Sequence, residues 1–264
     1  MAHNAGTAGH VYGNALLVED CEDVWTTGGA GRAVSVVTGK VGTYAARVTT
    51  TTIGATTLLQ YEDFASANLS AYKGLYGRVR SSLTTAAGNL QLLLDDTAAC
   101  ATALESLDIP IITAATWRQV FTRFATPANL TAIISVGLYQ VADLADGTFD
   151  VDDVQALAEL AGMRSWTIDR TTSIIDTTDF ADVGVRSVLP AVSQWAGSFE
   201  GLKDGAPLDV FNEVYLVLGE SSTAYRNWIG KAVITGVHAS VAYDGAVTYA
   251  YTFEGTGALQ PPDA

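Results

Sequence analysis

The feature that most constrains the fold is an alternation of apolar and other residues near the C-terminal end of the chain. Two runs place apolar residues at every second position: Val237, Ala239, Val241 and Tyr243 in the first, and Val247, Tyr249, Tyr251 and Phe253 in the second. A repeat of two is the period of a β-strand with one buried face. Asp244-Gly245 stands between the runs and suits a two-residue type I′ turn. The sequence therefore predicts an antiparallel β-hairpin.

Similar alternation recurs upstream. In Ser193–Glu200 the residues Trp195, Gly197 and Phe199 share one face, and Met163–Asp169 alternates as well. From residue 14 to residue 155 many short strand patterns are separated by turn signals, and no helical period is long enough to cross over a sheet. Such spacing is typical of a two-sheet antiparallel sandwich of jelly-roll type. The predicted fold class is mostly β, with two β-sandwich domains.

Two segments of the C-terminal part lack this alternation. Thr171–Pro190 is polar and long for a β connection, so we expect a functional loop there. For Pro207–Asn212 we expect one helical turn, followed by a strand over Glu213–Leu218 because that run is rich in β-branched residues.

Charge and hydropathy exclude several classes of partner. The 28 acidic and 14 basic residues give a net charge of −14, and no stretch clusters Lys and Arg. Specific binding of nucleic acid is therefore not expected. No apolar run approaches the roughly 20 residues that cross a bilayer, and the N-terminus lacks a secretory signal pattern. We expect a protein without membrane contact that is made in a cytosol and not exported.

Catalytic motifs are absent from the sequence. The three histidines are His3 and His10, in an N-terminus expected to be mobile, and His238, within a predicted strand. No GxSxG, HExxH, P-loop or GxGxxG pattern occurs. Cys21 and Cys100 are far apart and without metal-ligand spacing, which favours two buried thiols over a disulfide or a zinc site. We therefore expect no enzyme activity.

Two acidic clusters and four tyrosines are candidate binding groups. Glu19–Asp23 and Asp150–Asp153 lie near the two ends of the predicted sandwich, where its first and last strands would be neighbours. Glu19 and Asp152 could thus hold a structural Ca²⁺, although solvated acidic strand edges explain the same residues. An aromatic platform for a sugar is a further option, with core packing as the commoner use. Its candidate members are Tyr61, Tyr72, Tyr76 and Tyr139.

Five segments in order resemble the tail tube proteins of long, non-contractile tailed bacteriophages. They are Gly162–Asp169, Ile175–Phe180, Leu189–Gly201, Val233–Val241 and Phe253–Ala258. Members of that family begin with a short strand of the form Gly-x-Val-Tyr-x-Gly, and Gly9–Gly13 is similar to it. The resemblance implies a discontinuous tail tube domain, residues 1–13 and 156–264, which carries residues 14–155 as an inserted jelly-roll-like β-sandwich. The insert resembles carbohydrate-binding jelly rolls more loosely.

The resemblance also implies a function and a set of site residues. The chain would form homohexameric rings that stack into a tube in the virion, together with other phage tail proteins, and the tube would conduct double-stranded DNA during ejection without binding it specifically. The expected lumen carboxylates are Glu200, Asp244 and Glu254. The expected loop between subunits or rings carries Asp176, Asp179, Asp182 and Arg186. No cofactor is implied beyond the structural Ca²⁺ considered above.

Two other functions are open at this point. The chain could be a carbohydrate-binding or adhesion module on a virion or cell surface, in which the jelly roll binds a surface glycan. The third option is an enzyme, but the sequence shows no recognisable nucleophile, base or metal cluster.

Overall fold

The computed structural model describes residues 10–178, 185–202, 206–220, 225–241, 245 and 247–263. Within these residues the chain forms sixteen β-strands and two short 3-10 helices. The strands are β1 (His10–Glu19), β2 (Thr26–Thr27), β3 (Arg32–Thr38), β4 (Tyr44–Thr50), β5 (Thr57–Ala67), β6 (Gly74–Ser81), β7 (Leu90–Asp95), β8 (Glu105–Asp108), β9 (Arg118–Arg123), β10 (Ile133–Gln140), β11 (Thr148–Glu159), β12 (Met163–Asp176), β13 (Val188–Leu202), β14 (Glu213–Gly219), β15 (Asn227–Val241) and β16 (Val247–Gly255), and the 3-10 helices span Ala98–Cys100 and Pro127–Asn129.

The strands form two antiparallel sheets. The larger has the order β12-β13-β16-β15-β14-β1-β11-β4-β3, and β6 joins it at β11 and carries β9. The smaller has the order β2-β5-β10-β7-β8. The predicted mostly β fold class is confirmed. None of the helices in the described residues is long and apolar enough to span a membrane.

Apolar side chains form two main cores. One lies between the smaller sheet and strands β4, β6, β9 and β11, and it contains Trp25, Leu59 and Phe149. The other is enclosed by β12–β16 and the start of β1, and it contains Phe199 and Phe253. Cys21 and Cys100 are free and buried, as predicted. The first core lies within the predicted insert and the second within the predicted tail tube domain.

Two strands run from one core to the other. Val11 of β1 packs in the second core and Val18 in the first. The neighbouring β11 passes from Val151 in the first core to Leu157 in a small third core. Both predicted domain boundaries, after residue 13 and after residue 155, therefore fall inside paired strands.

The third core joins the two halves of the molecule. Tyr76 and Phe121 of the predicted insert pack against Val217 and Ile229 of β14 and β15. At its edge the hydroxyl of Tyr215 donates to Asp153, at 2.7 Å from Oδ1. The paired strands and this core therefore connect the predicted insert to the predicted tail tube domain.

Two local predictions are wrong. In the described part of Thr171–Pro190, β12 continues to Asp176 and β13 begins at Val188, so much of the expected loop is strand. No helical turn occurs at 207–212, where Phe211 has a φ of 68°. The predicted C-terminal hairpin is confirmed, with Val241 of β15 opposite Val247 of β16, whereas Asp244 of its predicted turn lies outside the described residues.

Candidate functional site: an assembly surface

Strands β12 and β13 extend beyond the rest of the sheet as a two-stranded ribbon. β13 pairs with β16 only from Ala196 to Leu202, whereas its pairing with β12 continues to Val188 opposite Asp176. We define the projecting ribbon as residues 171–176 and 188–194. An isolated two-stranded ribbon is at best marginally stable in water. A surface of another molecule would therefore stabilise it.

The projecting ribbon exposes apolar side chains on both faces. Ile174 and Ile175 are 52% and 56% exposed, and Leu189 and Val192 are 57% and 71% exposed. Successive residues of a strand point to opposite faces, so the two isoleucines alone place an apolar group on each side. Clustered exposed apolar residues of this kind mark interaction surfaces.

Two of the predicted loop residues, Asp176 and Arg186, lie at the end of this ribbon. Asp176 accepts hydrogen bonds from the amide and hydroxyl of Thr178, at 3.0 and 2.6 Å, and from Nε of Arg186 at 3.1 Å. These contacts, the Thr178 bonds first, lower the pKa of Asp176. Asp179 and Asp182 lie outside the described residues. Asp176 and Arg186 therefore form an exposed ion pair, and their role between subunits or rings stays a prediction.

The second feature of the site is a polar sheet face on β12, β13 and β16. Its paired positions carry small or hydroxyl side chains and three carboxylates, and no Lys or Arg. The positions are Ser165, Thr167, Asp169, Ala196, Ser198, Glu200, Thr248, Ala250, Thr252 and Glu254. Hydroxyl contacts link neighbouring strands, with 2.9 Å between Thr167 Oγ1 and Ser198 Oγ. We call this surface the acidic face.

The predicted lumen carboxylates Glu200 and Glu254 both lie on the acidic face. Glu254 is opposite Ala196 and Glu200 is opposite Ala250, so the two belong to neighbouring strands. Ser165 donates a hydrogen bond of 3.2 Å to Glu200. Asp169, which the sequence reasoning did not single out, is the third carboxylate. The remaining candidate, Asp244, is outside the described residues.

The sheet segment β12-β13-β16-β15-β14-β1 is curled, so that β12 contacts the end of β14. Trp166 of β12 donates its indole N–H to the carbonyl of Gly219, at the end of β14, over 3.2 Å. β12, the first strand of this group, therefore lies against the end of β14. In the sheet order β15 separates β16 from β14, and β1 leads on to β11 of the predicted insert.

The two sheet edges of this group are open over part of their length. Along β12, from Met163 to Asp176, the only described partner strand is β13. β15 pairs with β14 only up to Val233, so its continuation to Val241 has β16 as its sole described partner. Unpaired N–H and C=O groups of this kind are templates for pairing with another chain.

The predicted calcium residues lie on neighbouring strands, and some of their carboxylate oxygens already accept hydrogen bonds. β1 and β11 are neighbours, as expected, with Glu19 opposite Val154. Oδ2 of Asp152 accepts the amides of Lys40 and Val41, at 2.6 and 3.0 Å. Nowhere in the described chain do three or more His, Cys, Asp or Glu side chains group so as to hold a metal. The Ca²⁺ site stays a prediction.

Sequence reasoning missed one acidic side chain beside this region. Burial, with the charges of Asp23 and Glu19 next in importance, raises the pKa of Glu62 to about 7. Burial also raises the pKa values of Glu19 and Asp152. Glu62 lies on β5, and no local pattern in the sequence connects it to β1.

The other candidate residues have structural roles. Tyr76 is fully buried and its hydroxyl donates to Gln119 at 3.0 Å, which agrees with the core packing favoured from the sequence and excludes it from a sugar platform. Tyr61, Tyr72 and Tyr139 are half-buried. His238 is a strand residue, as predicted. His10 begins β1 and contacts Glu159 at 2.6 Å, contrary to the expected mobile terminus, whereas His3 lies outside the described residues.

Comparisons with known proteins give weak structural similarity only. No family model matches the chain, and no curated protein matches it. A solved chain from the tail of an empty GTA particle, refined with C6 symmetry, is 19% identical with a TM-score of 0.35, over 41% of this chain and 87% of that one. An exo-beta-agarase is 11% identical with a TM-score of 0.37, over 51% of this chain and 23% of that one.

Proposed function

We propose that the chain is a non-enzymatic structural subunit of a bacteriophage tail tube, which forms stacked hexameric rings and displays its inserted sandwich outward. The observation that carries the proposal is the projecting ribbon. Its four most prominent apolar side chains are each more than half exposed in the single chain. A neighbouring copy that covers them would remove the cost of this exposure.

The open sheet edges support repeated assembly. β12 and the free half of β15 lie at different edges of one curled sheet, so pairing between them on two copies would be head to tail. Heterologous contacts of this type form closed rings or continuing filaments. A ring built in this way would leave fewer exposed strand edges than the single chain.

The acidic face suits the lumen of such a tube. DNA that moves through a conduit must not adhere to its wall, and carboxylates repel phosphates within about a Debye length. Asp169, Glu200 and Glu254 supply negative charge there, and small hydroxyl residues supply a smooth polar surface. Because the insert is held by β14 and β1, an inward acidic face would direct the insert outward.

Sedimentation velocity and negative-stain electron microscopy of the purified full chain test this function. We expect a concentration-dependent conversion of monomers into rings or tubes with a central channel. A chain that stays monomeric across a wide concentration range would contradict the proposal.

A further inference from the structure

A row of charged side chains crosses the outward face of the predicted insert. In the sheet register Asp150 of β11 lies opposite Arg47 of β4 on one side and Arg80 of β6 on the other. Their strand neighbours Val48 and Val151 point into the core. The three charged residues therefore point away from the core and lie side by side.

The two guanidinium groups share a single carboxylate. Arg47 donates from Nε to Oδ1 of Asp150 at 2.6 Å and from Nη2 to Oδ2 at 3.0 Å. Arg80 donates from Nε to Oδ2 at 2.7 Å, and its Nη2 is 2.6 Å from the same oxygen. Asp150 is 1% exposed, so it has no room for another donor. These three residues alone carry a net charge of +1.

Donor groups remain available next to this charge. The arginine side chains are 27% and 24% exposed, and neither Nη1 group donates to any residue of the described chain. Each guanidinium carries five N–H donors, of which the contacts with Asp150 use only part. The unused donors are those that would meet an anion from solution.

A small cavity lies beside the two arginines. Its volume is about 190 Å³, and Ser82, Thr148, Ser81 and Ala115 complete its lining. Ser82 Oγ accepts the amide of Thr148 at 2.9 Å, which leaves its hydroxyl proton free to donate elsewhere. The cavity therefore combines cationic and hydroxyl donors.

Arg80 is held in place without a ligand. Its guanidinium carbon is 4.7 Å from the centre of the Trp117 ring, a cation–π contact that restricts the side chain. A site that is ordered before binding loses less entropy when it binds. The Arg80 side chain is thus ordered before any ligand binds.

We infer that this cavity binds the carboxylate of an acidic saccharide, with Arg47 and Arg80 as the charged donors and Ser82 as a hydroxyl donor. Guanidinium groups match the planar, two-oxygen geometry of a carboxylate. Because the contacts with Asp150 use only part of the N–H donors of the two arginines, the remaining donors can bind a further anion. A ring hydroxyl of the sugar would meet the serine and threonine hydroxyls. This inference is independent of tube assembly.

The test is a titration of the full chain by isothermal calorimetry or NMR at low salt. The probes are glucuronate and N-acetylneuraminate, with methyl glucoside as the uncharged control, and inorganic phosphate and glycerol phosphate as the other oxyanions. We expect the acidic sugars to bind, the uncharged sugar not to bind, and affinity to fall with salt. No binding by any acidic sugar would overturn the inference, and so would binding of the phosphates alone.

The variant that isolates the site is Arg47→Gln. It leaves Asp150 paired with Arg80 and should weaken acidic-sugar binding by about 10- to 100-fold, the usual effect of losing a hydrogen bond to a charged group. Arg226→Gln, on an exposed arginine of the other domain, is the matched control and should bind as the wild type does. If Arg47→Gln does not fold, Ser82→Ala replaces it, with a smaller expected loss. Wild-type affinity in the folded site variant would show that the row is only structural.

Discussion

Replacing the apolar surface of the projecting ribbon should weaken assembly strongly and leave the monomer folded. The variant changes Ile174, Ile175, Leu189 and Val192 together to Thr. Threonine favours strands as strongly as the residues it replaces, and these side chains have few internal contacts to lose. Exposed substitutions of this kind change the free energy of unfolding by about 0.5 kcal/mol or less each.

The expected loss in assembly follows from the exposed fractions. Full burial of a Val, Leu or Ile side chain contributes about 1.5–3 kcal/mol. The four residues are 52, 56, 57 and 71% exposed, so together they could still gain about 3.5–7 kcal/mol from burial. A neighbour that covers half of this surface would contribute about 2–3.5 kcal/mol. The variant should then associate about 25- to 300-fold more weakly.

Sedimentation velocity over a concentration series measures this shift, and urea unfolding checks the fold. The control carries Val24→Thr and Ile111→Thr, which are 51% and 47% exposed on the predicted insert. We expect the control to assemble as the wild type does. Equal assembly of the ribbon variant and the wild type would refute the role of the ribbon, whereas an unfolded variant would refute the claim that these side chains have few internal contacts.

Three further predictions address other parts of the molecule. Phe211 is 82% exposed and has a φ of 68°, a backbone conformation that favours glycine. Phe211→Gly should therefore raise the free energy of unfolding of the monomer in urea by about 1 kcal/mol and weaken assembly. A lower free energy of unfolding would contradict this. The pKa of Glu62 is raised from 4.5 to about 7, so its contribution to stability is complete below about pH 4.5 and is lost as the pH rises through 7. Thermal unfolding should show this slope, and Glu62→Gln should reduce it; an unchanged slope would exclude Glu62 as its source. Gly13 pairs with Ala158, so a two-residue Asn-Gly turn could join them in place of residues 14–157. This shortened chain, with Val217→Thr for solubility, should fold and form thinner tubes in electron microscopy. Aggregation of the shortened chain would count against the insertion.

The sequence predicts strands well where one face is buried. Trp195 and Phe199, and likewise Tyr249, Tyr251 and Phe253, are buried between residues that are half-buried or exposed, because a core lies on one side of these strands only. The projecting ribbon has no such asymmetry. Both of its faces are exposed, so the period of two disappears from Thr171–Pro190 and the segment reads as a loop.

The sites depend on contacts between distant parts of the chain. Arg47, Arg80 and Asp150 belong to three strands, and only the register of the sheet brings them together. The shared face of Glu200 and Glu254 likewise follows from the pairing of β13 with β16. Sequence alone identifies these side chains as charged, and it cannot identify their neighbours.

The most direct test of the central claim is a cryo-electron microscopy reconstruction of the assembled chain. The account predicts a hollow tube of stacked rings with Asp169, Glu200 and Glu254 on the inner wall, the projecting ribbon against a neighbouring subunit, and the insert at the outer radius. An assembly without a channel, or a tube in which the insert faces the axis, would contradict it.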